Sequence, residues 1–218
     1  MKSLAVIGDV HGECRRLRSM LATLESFDGT VIFVGDYVDS GADSAEVLEI
    51  LSGLSDSQPG KFHFLCGNHD LALLRYVEDG DFASFCAMGG LPTLASYLSV
   101  VSGDVHAAFV SALPARHVAF LRGLGASWET DELLVSHAGY DPARPAARDL
   151  ETMAHGKGWP IFGKVRPPKG LVVCGHYVQS GGPYESEHLV CVDTGCGIIP
   201  GAPLTAVILP ERRFVSIP

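Results

Sequence analysis

Three times within its first eighty residues the chain repeats one pattern: a short apolar run, a glycine, an acidic or polar turn, then apolar residues at helical spacing. Ser3 to Ile7 ends at Gly8-Asp9, and Leu17, Met20, Leu21 and Leu24 follow. Val31 to Val34 ends at Gly35-Asp36 and predicts a helix from about Ser44 to Leu51; Phe62 to Leu65 ends at Gly67-Asn68 and predicts one over His69 to Val77. Strand, turn and helix in succession predict parallel strands whose C-terminal ends lie side by side. Polar residues at those ends then converge on one crevice, and the glycines let the backbone turn there.

Farther on the pattern loosens. Asp81 to Val101 and Asp104 to Leu121 are expected to be helices beside the sheet, punctuated by Gly89-Gly90 and Leu113-Pro114. Strands are expected at Leu133 to Ser136, Leu171 to Cys174, Leu189 to Val192 and Leu204 to Leu209. Residues 142–168 give no clear element. With 47% hydrophobic and 19% charged residues and no shift in composition, residues 1–218 are expected to form one globular α/β domain.

The net charge of -9 argues against non-specific binding to nucleic acid or to an anionic membrane surface. No segment approaches a membrane span, and the first apolar run is too short for a signal peptide. Six cysteines scattered through a mid-sized chain suit reduced thiols, hence the cytosol. Oligomeric state is not readable.

The polar residues at the strand ends are Asp9 and His11, Asp36 and Asp39, Asn68 and His69, then His137 in SHAG and His176 in CGHY. A lone Asp-x-His after a strand is usually a turn with a satisfied histidine. Five such clusters, all at strand ends, are instead a set of oxygen and imidazole donors able to hold two divalent ions. Asp36, on the central strand, is the candidate bridge, since its two oxygens can face different ions; a water shared by two ions becomes a hydroxide able to attack phosphorus in line. Asp39 is expected to orient His69, whose imidazolium would protonate the leaving oxygen.

GDVHG, GDYVDSG, GNHD, SHAG and CGH, in that order, resemble the signature blocks of calcineurin-like metallophosphoesterases. The first three are most similar to the PPP-type serine/threonine phosphatases and their bacterial relatives, and GGLPTLASYL, ALPARHVAFL and CVDTGCG followed by LTAVIL extend the likeness outside residues 142–168. The resemblance implies a four-layer α/β/β/α sandwich of two mixed sheets flanked by helices. It implies that Asp9, His11 and Asp36 bind one metal, that Asp36, Asn68, His137 and His176 bind the other, and that His69 and Asp39 form the catalytic pair. The implied ions are manganese first, with iron or zinc as alternatives.

Two departures stand out. Ser40 occupies the place of the arginine that grips substrate phosphate in that family, and Cys66 stands where Arg or Lys commonly precedes GNH. A charge-assisted bond to phosphate is worth about 1.5 to 3 kcal/mol, so the loss weakens monoester binding unless Arg75, Lys157, Lys164 or Arg166 substitutes. The leading expectation is a phosphatase acting on phosphoprotein Ser, Thr or Tyr. Its alternatives are a hydrolase of dinucleoside polyphosphates or other small phosphate esters and diesters, and a metal-bearing binding module of weak catalysis. A structural zinc cluster of Cys174, His176, His188, Cys191 and Cys196 is disfavoured, because cysteines on apolar strands are commonly buried small hydrophobes.

Overall fold

Most of the apolar runs become strands buried on both faces, which explains why those runs are continuous rather than alternating; Phe62–Phe64, at a sheet edge, is half-buried. The computed structural model describes residues 3–99, 103–157, 159–163 and 167–218. Strands β1 (Leu4–Ile7), β2 (Thr30–Phe33) and β3 (Phe62–Phe64) pair in parallel, with Ala5 opposite Val31 and Phe33 opposite Phe64. Helices α1 (Cys14–Thr23), α2 (Ser44–Ser57) and α3 (Asn68–Asp79) follow them in turn. Helix α2 runs past the expected end at Leu51 because Leu54, one turn on, still packs against the core.

The two helical segments expected in the middle are each divided in two at their punctuation. Asp81 to Val101 yields α4 (Phe82–Ala87) and α5 (Leu91–Tyr97), separated where Gly89 adopts φ +87°. A glycine in the left-handed region ends a helix, and Phe85 leaves no room for a side chain at Gly90. Asp104 to Leu121 yields α6 (Val105–Ala112) and α7 (Ala115–Arg122), parted at Leu113-Pro114, where proline pushes the preceding residue out of helical conformation. Val100 and Val101 lie outside the described residues.

The second half adds β4 (Ser127–Glu129), β5 (Leu133–Ser136), α8 (Leu150–His155), β6 (Leu171–Cys174), β7 (Tyr184–Glu185), β8 (Leu189–Cys191), β9 (Leu204–Leu209) and β10 (Arg213–Ile217), with a 3-10 turn at Trp159–Phe162. One sheet runs β10-β9-β1-β2-β3 and the other β4-β5-β6-β8-β7; each mixes parallel and antiparallel neighbours.

Alternation along the strands builds three cores. Leu4 and Val6, Ile32 and Val34, Leu133 and Val135, and Val173 and Val190 meet between the sheets. Ala5, Ile7, Val31 and Phe33 face the opposite way, onto α1, α2 and their neighbours. Leu134, Val172, Cys174, Leu189 and Cys191 face outward from the second sheet onto Tyr140, Ile161 and Tyr177. Helices, sheet, sheet and an outer cover of loop residues including Tyr140, Ile161 and Tyr177 stack in that order, with α8 against α3, and β1, β2, β3, β5 and β6 deliver their C-terminal ends to one edge of the sandwich. Among the described residues no helix is long and apolar enough to cross a membrane.

Candidate active site

The turns after those strands interlock through the backbone. The N–H groups of Val10 and His11 both donate to the Asp36 carbonyl (3.0 and 2.9 Å), Gly12 donates to Tyr37 (2.9 Å), and Gly175 donates to His137 (2.8 Å). Of the six non-glycine residues with positive φ among those described, five lie here: His11, Asp36, Asp39, Ser40 and His176. Such conformations cost about 1 to 3 kcal/mol each and persist only where the surroundings hold them. Asp70 supplies part of the holding, its carboxylate accepting the N–H groups of Asp36 (2.7 Å), Tyr37 and Gly67 (2.9 Å each).

The side chains so aimed form two groups that share Asp36. Donor atoms of His11, Asp36 and His69 lie within 4.8 Å of one another, as do those of Asp36, His137 and His176. In the second group His137 Nε2 is 3.2 Å from Asp36 Oδ2 and 3.0 Å from Asn68 Oδ1, and His176 Nδ1 is 2.8 Å from the same Asn68 oxygen and 3.2 Å from His137 Nε2. In the first, His11 donates its Nδ1 proton to the Val38 carbonyl (3.0 Å), which leaves the Nε2 lone pair facing Asp36 at 3.7 Å. Burial alone would raise the Asp36 carboxyl, but the imidazoles of His137, His69 and His11 hold it well below the usual carboxylate range.

Neither compact group includes Asp9. Its carboxylate accepts the His176 N–H (3.1 Å to Oδ2), and His69 takes the third place in the compact first group. Burial, with Asp193 and Asp36 nearby, pushes Asp9 well above its ordinary pKa. One Asp193 oxygen is buried and lacks a hydrogen-bond partner among the described residues.

His69 and Asp39 meet as expected: the Nδ1 proton of His69 is donated to Asp39 Oδ2 at 2.9 Å. Burial would lower the His69 pKa, yet Asp36 and Asp39 raise it to about 9. Its Nε2 lies 4.0 Å from Asp36 Oδ2, on the side of the donor groups. The other Asp39 oxygen accepts from Thr93 (2.7 Å), a contact 54 residues distant that no local pattern announces.

Arg75 pairs with Glu151 of α8, Lys157 is exposed beyond α8, and Lys164 and Arg166 lie outside the described residues. Ser40 is exposed in its turn. His188 bonds the Gly170 carbonyl (3.0 Å) and is exposed.

A family model for calcineurin-like phosphoesterases matches residues 2–193. The chain belongs to that family. Among curated relatives of this phosphoesterase, bis(5'-nucleosyl)-tetraphosphatase PrpE (asymmetrical) of Bacillus subtilis is 24% identical over 98% of this chain and 93% of its own length. Serine/threonine-protein phosphatase 2 of Escherichia coli is 39% identical, over 39% of this chain and 37% of its own length. A crystal structure provisionally assigned as a diadenosine tetraphosphatase superposes with TM-score 0.68 at 23% identity, covering 100% of this chain and 93% of the other. A Saccharomyces cerevisiae serine/threonine phosphatase superposes with TM-score 0.63 at 16% identity, covering 99% and 79%. Both confirm the two-sheet fold.

Members of this family use divalent metal ions, and the residues present fit them. Asp36 Oδ2, Asn68 Oδ1, His137 Nε2 and His176 Nδ1 bring lone pairs together. Burial and the neighbouring His137 lower the His176 pKa to about 3, and burial lowers that of His11 to about 4, so neither ring supplies an extra proton. A cation satisfies such a set; additional protons do not.

Proposed function

We propose that this phosphoesterase hydrolyses phosphoanhydrides of the dinucleoside polyphosphate class, with manganese as the working ion in a two-metal site. The observation that carries the proposal is the end-to-end match to bis(5'-nucleosyl)-tetraphosphatase PrpE, where likeness to the Escherichia coli protein phosphatase is confined to under half of the chain. Ser40 supports it. A terminal phosphomonoester carries up to two charges and benefits from a guanidinium clamp; an internal phosphoryl group carries one and needs the clamp less.

In this proposal Asp9, His11 and Asp36 hold one ion, and Asp36, Asn68, His137 and His176 hold the other. The ions would supply Lewis acidity at the phosphoryl oxygens and activate the attacking water. His69, with its pKa at about 9, carries a proton at neutral pH. Asp39 takes the Nδ1 side, so the proton offered to the leaving oxygen is the one on Nε2. A cytosolic setting is part of the proposal, since all six cysteines are free thiols.

The test is side-by-side turnover of diadenosine tetraphosphate and a phosphoserine peptide by manganese-loaded protein, with Asp36→Asn and His69→Ala as controls. The expected result is faster release of nucleotides than of phosphate from the peptide, falling at least about 100-fold in either variant. Faster peptide turnover would instead establish the protein-phosphatase alternative, which the 39% identity over 87 residues supports.

A further inference from the structure

We infer that Thr93 is a positioning residue for the His69–Asp39 pair, fixing Asp39 in the orientation from which it aims the His69 imidazolium; this rests on the general-acid role proposed for His69. Asp39 and Ser40 are consecutive non-glycine residues with φ +70° and +63°, a backbone that needs external holding. Thr93, from the first turn of α5, holds it at two points. Its Oγ1 accepts the Asp39 N–H at 2.9 Å and donates to Asp39 Oδ1 at 2.7 Å.

Proton bookkeeping fixes the direction of the network. An ionised carboxylate can only accept, so the single hydroxyl proton of Thr93 goes to Asp39 Oδ1. Ser44 Oγ, 2.9 Å from Thr93 Oγ1, must therefore donate to it, leaving a Ser44 lone pair for the Asp39 N–H at 3.2 Å. Asp39 Oδ2 is left for the Nδ1 proton of His69. Thr93, Asp39 and Ser44 are all fully buried, so water has no ready access to replace the missing bond.

Thr93 could do no more than tether α5 to the turn, and leaving-group chemistry separates that from positioning. A general acid matters most when the departing oxygen is basic. A misaimed His69 therefore costs more on phenyl phosphate than on p-nitrophenyl phosphate, whereas a loosened scaffold costs both alike and sheds metal.

The experiment compares wild type, Thr93→Val, Thr93→Ser and His69→Ala on the two aryl phosphates, with bound metal quantified in each. In Thr93→Val, kcat for phenyl phosphate is expected to fall about tenfold or more and for p-nitrophenyl phosphate about threefold or less, with metal content unchanged and Thr93→Ser close to wild type. Equal losses on both substrates, or none, while His69→Ala still discriminates, would overturn the role of Thr93. If His69→Ala does not discriminate, the general-acid role itself fails and the inference falls with it. A readout that needs no turnover is the downfield Nδ1 proton resonance of His69, identified by its absence in His69→Ala. It should shift or broaden in Thr93→Val and persist in Thr93→Ser; an unchanged resonance in Thr93→Val counts against the inference. Should valine at 93 prevent folding, Thr93→Ala against Thr93→Ser carries the same comparison.

Discussion

Gly175 has no side chain because Asp9 occupies the place where one would be, and Gly67 stands in the same relation to Asp36. A methyl group at either position collides with a carboxylate oxygen of the donor cluster. Gly175→Ala is therefore expected to weaken divalent-ion binding by about tenfold or more, in the range found when the supports of metal ligands are removed, as read by metal titration. Ser40→Arg should strengthen binding of aryl phosphates by about tenfold, visible as a lower KM, because a guanidinium supplies the charge-assisted bonds that a serine cannot. At this scale the site was largely legible: Asp36, His137 and His176 stand directly after apolar strands, and the order of the motifs reveals their company. Thr93 and Ser44 were not, since their purpose depends on a fold that brings residue 93 to residue 39. Asp70 left a trace, as the third residue of a helix opening after a glycine, where a carboxylate can reach back to free backbone N–H groups.

Among the helices, one buried histidine of α7 reaches both α2 and α5. Tyr97 donates to His117 Nδ1 (2.8 Å), and His117 Nε2 donates to Glu49 (3.1 Å), which Arg116 also engages. Burial and the Arg116 guanidinium lower the His117 pKa to about 4, and the exposed, shared Glu49 does not reverse this. The neutral ring is the folded form, so unfolding binds a proton once the pH drops below the ordinary histidine value of about 6.5. The stabilisation by His117 is accordingly full above pH about 6.5 and lost as the pH falls toward 4. The gap in melting temperature between wild type and His117→Gln is expected to narrow over that window. Sequence pattern found every long apolar strand but missed β4, β7 and β10. β4 is Ser-Trp-Glu, β7 is two residues long, and the apolar residues of β10, an edge strand, are interrupted by Ser216, so none carries the continuous apolar run that marks a strand covered on both faces.

For the molecule as a whole, the proposed ligands come from both sheets: Asp9, His11, Asp36 and Asn68 follow strands of the first, His137 and His176 strands of the second. An ion bound there contacts the folded state and has no comparable site in the unfolded chain. Loading at 100 times Kd should add about 2.7 kcal/mol of stability, and a chelator should remove it, as measured by calorimetric melting with and without manganese. The layered architecture could be anticipated from the motifs; the mutual seating of the sheets could not, because it is decided by side-chain fit among Leu4, Val6, Ile32, Val135 and Val173. Four of these six proposed ligands lie between residues 9 and 68, and the remaining two come only after residue 136. A cup divided in this way is expected to hold its ion tightly only once the second sheet has docked, so metal uptake would report that docking.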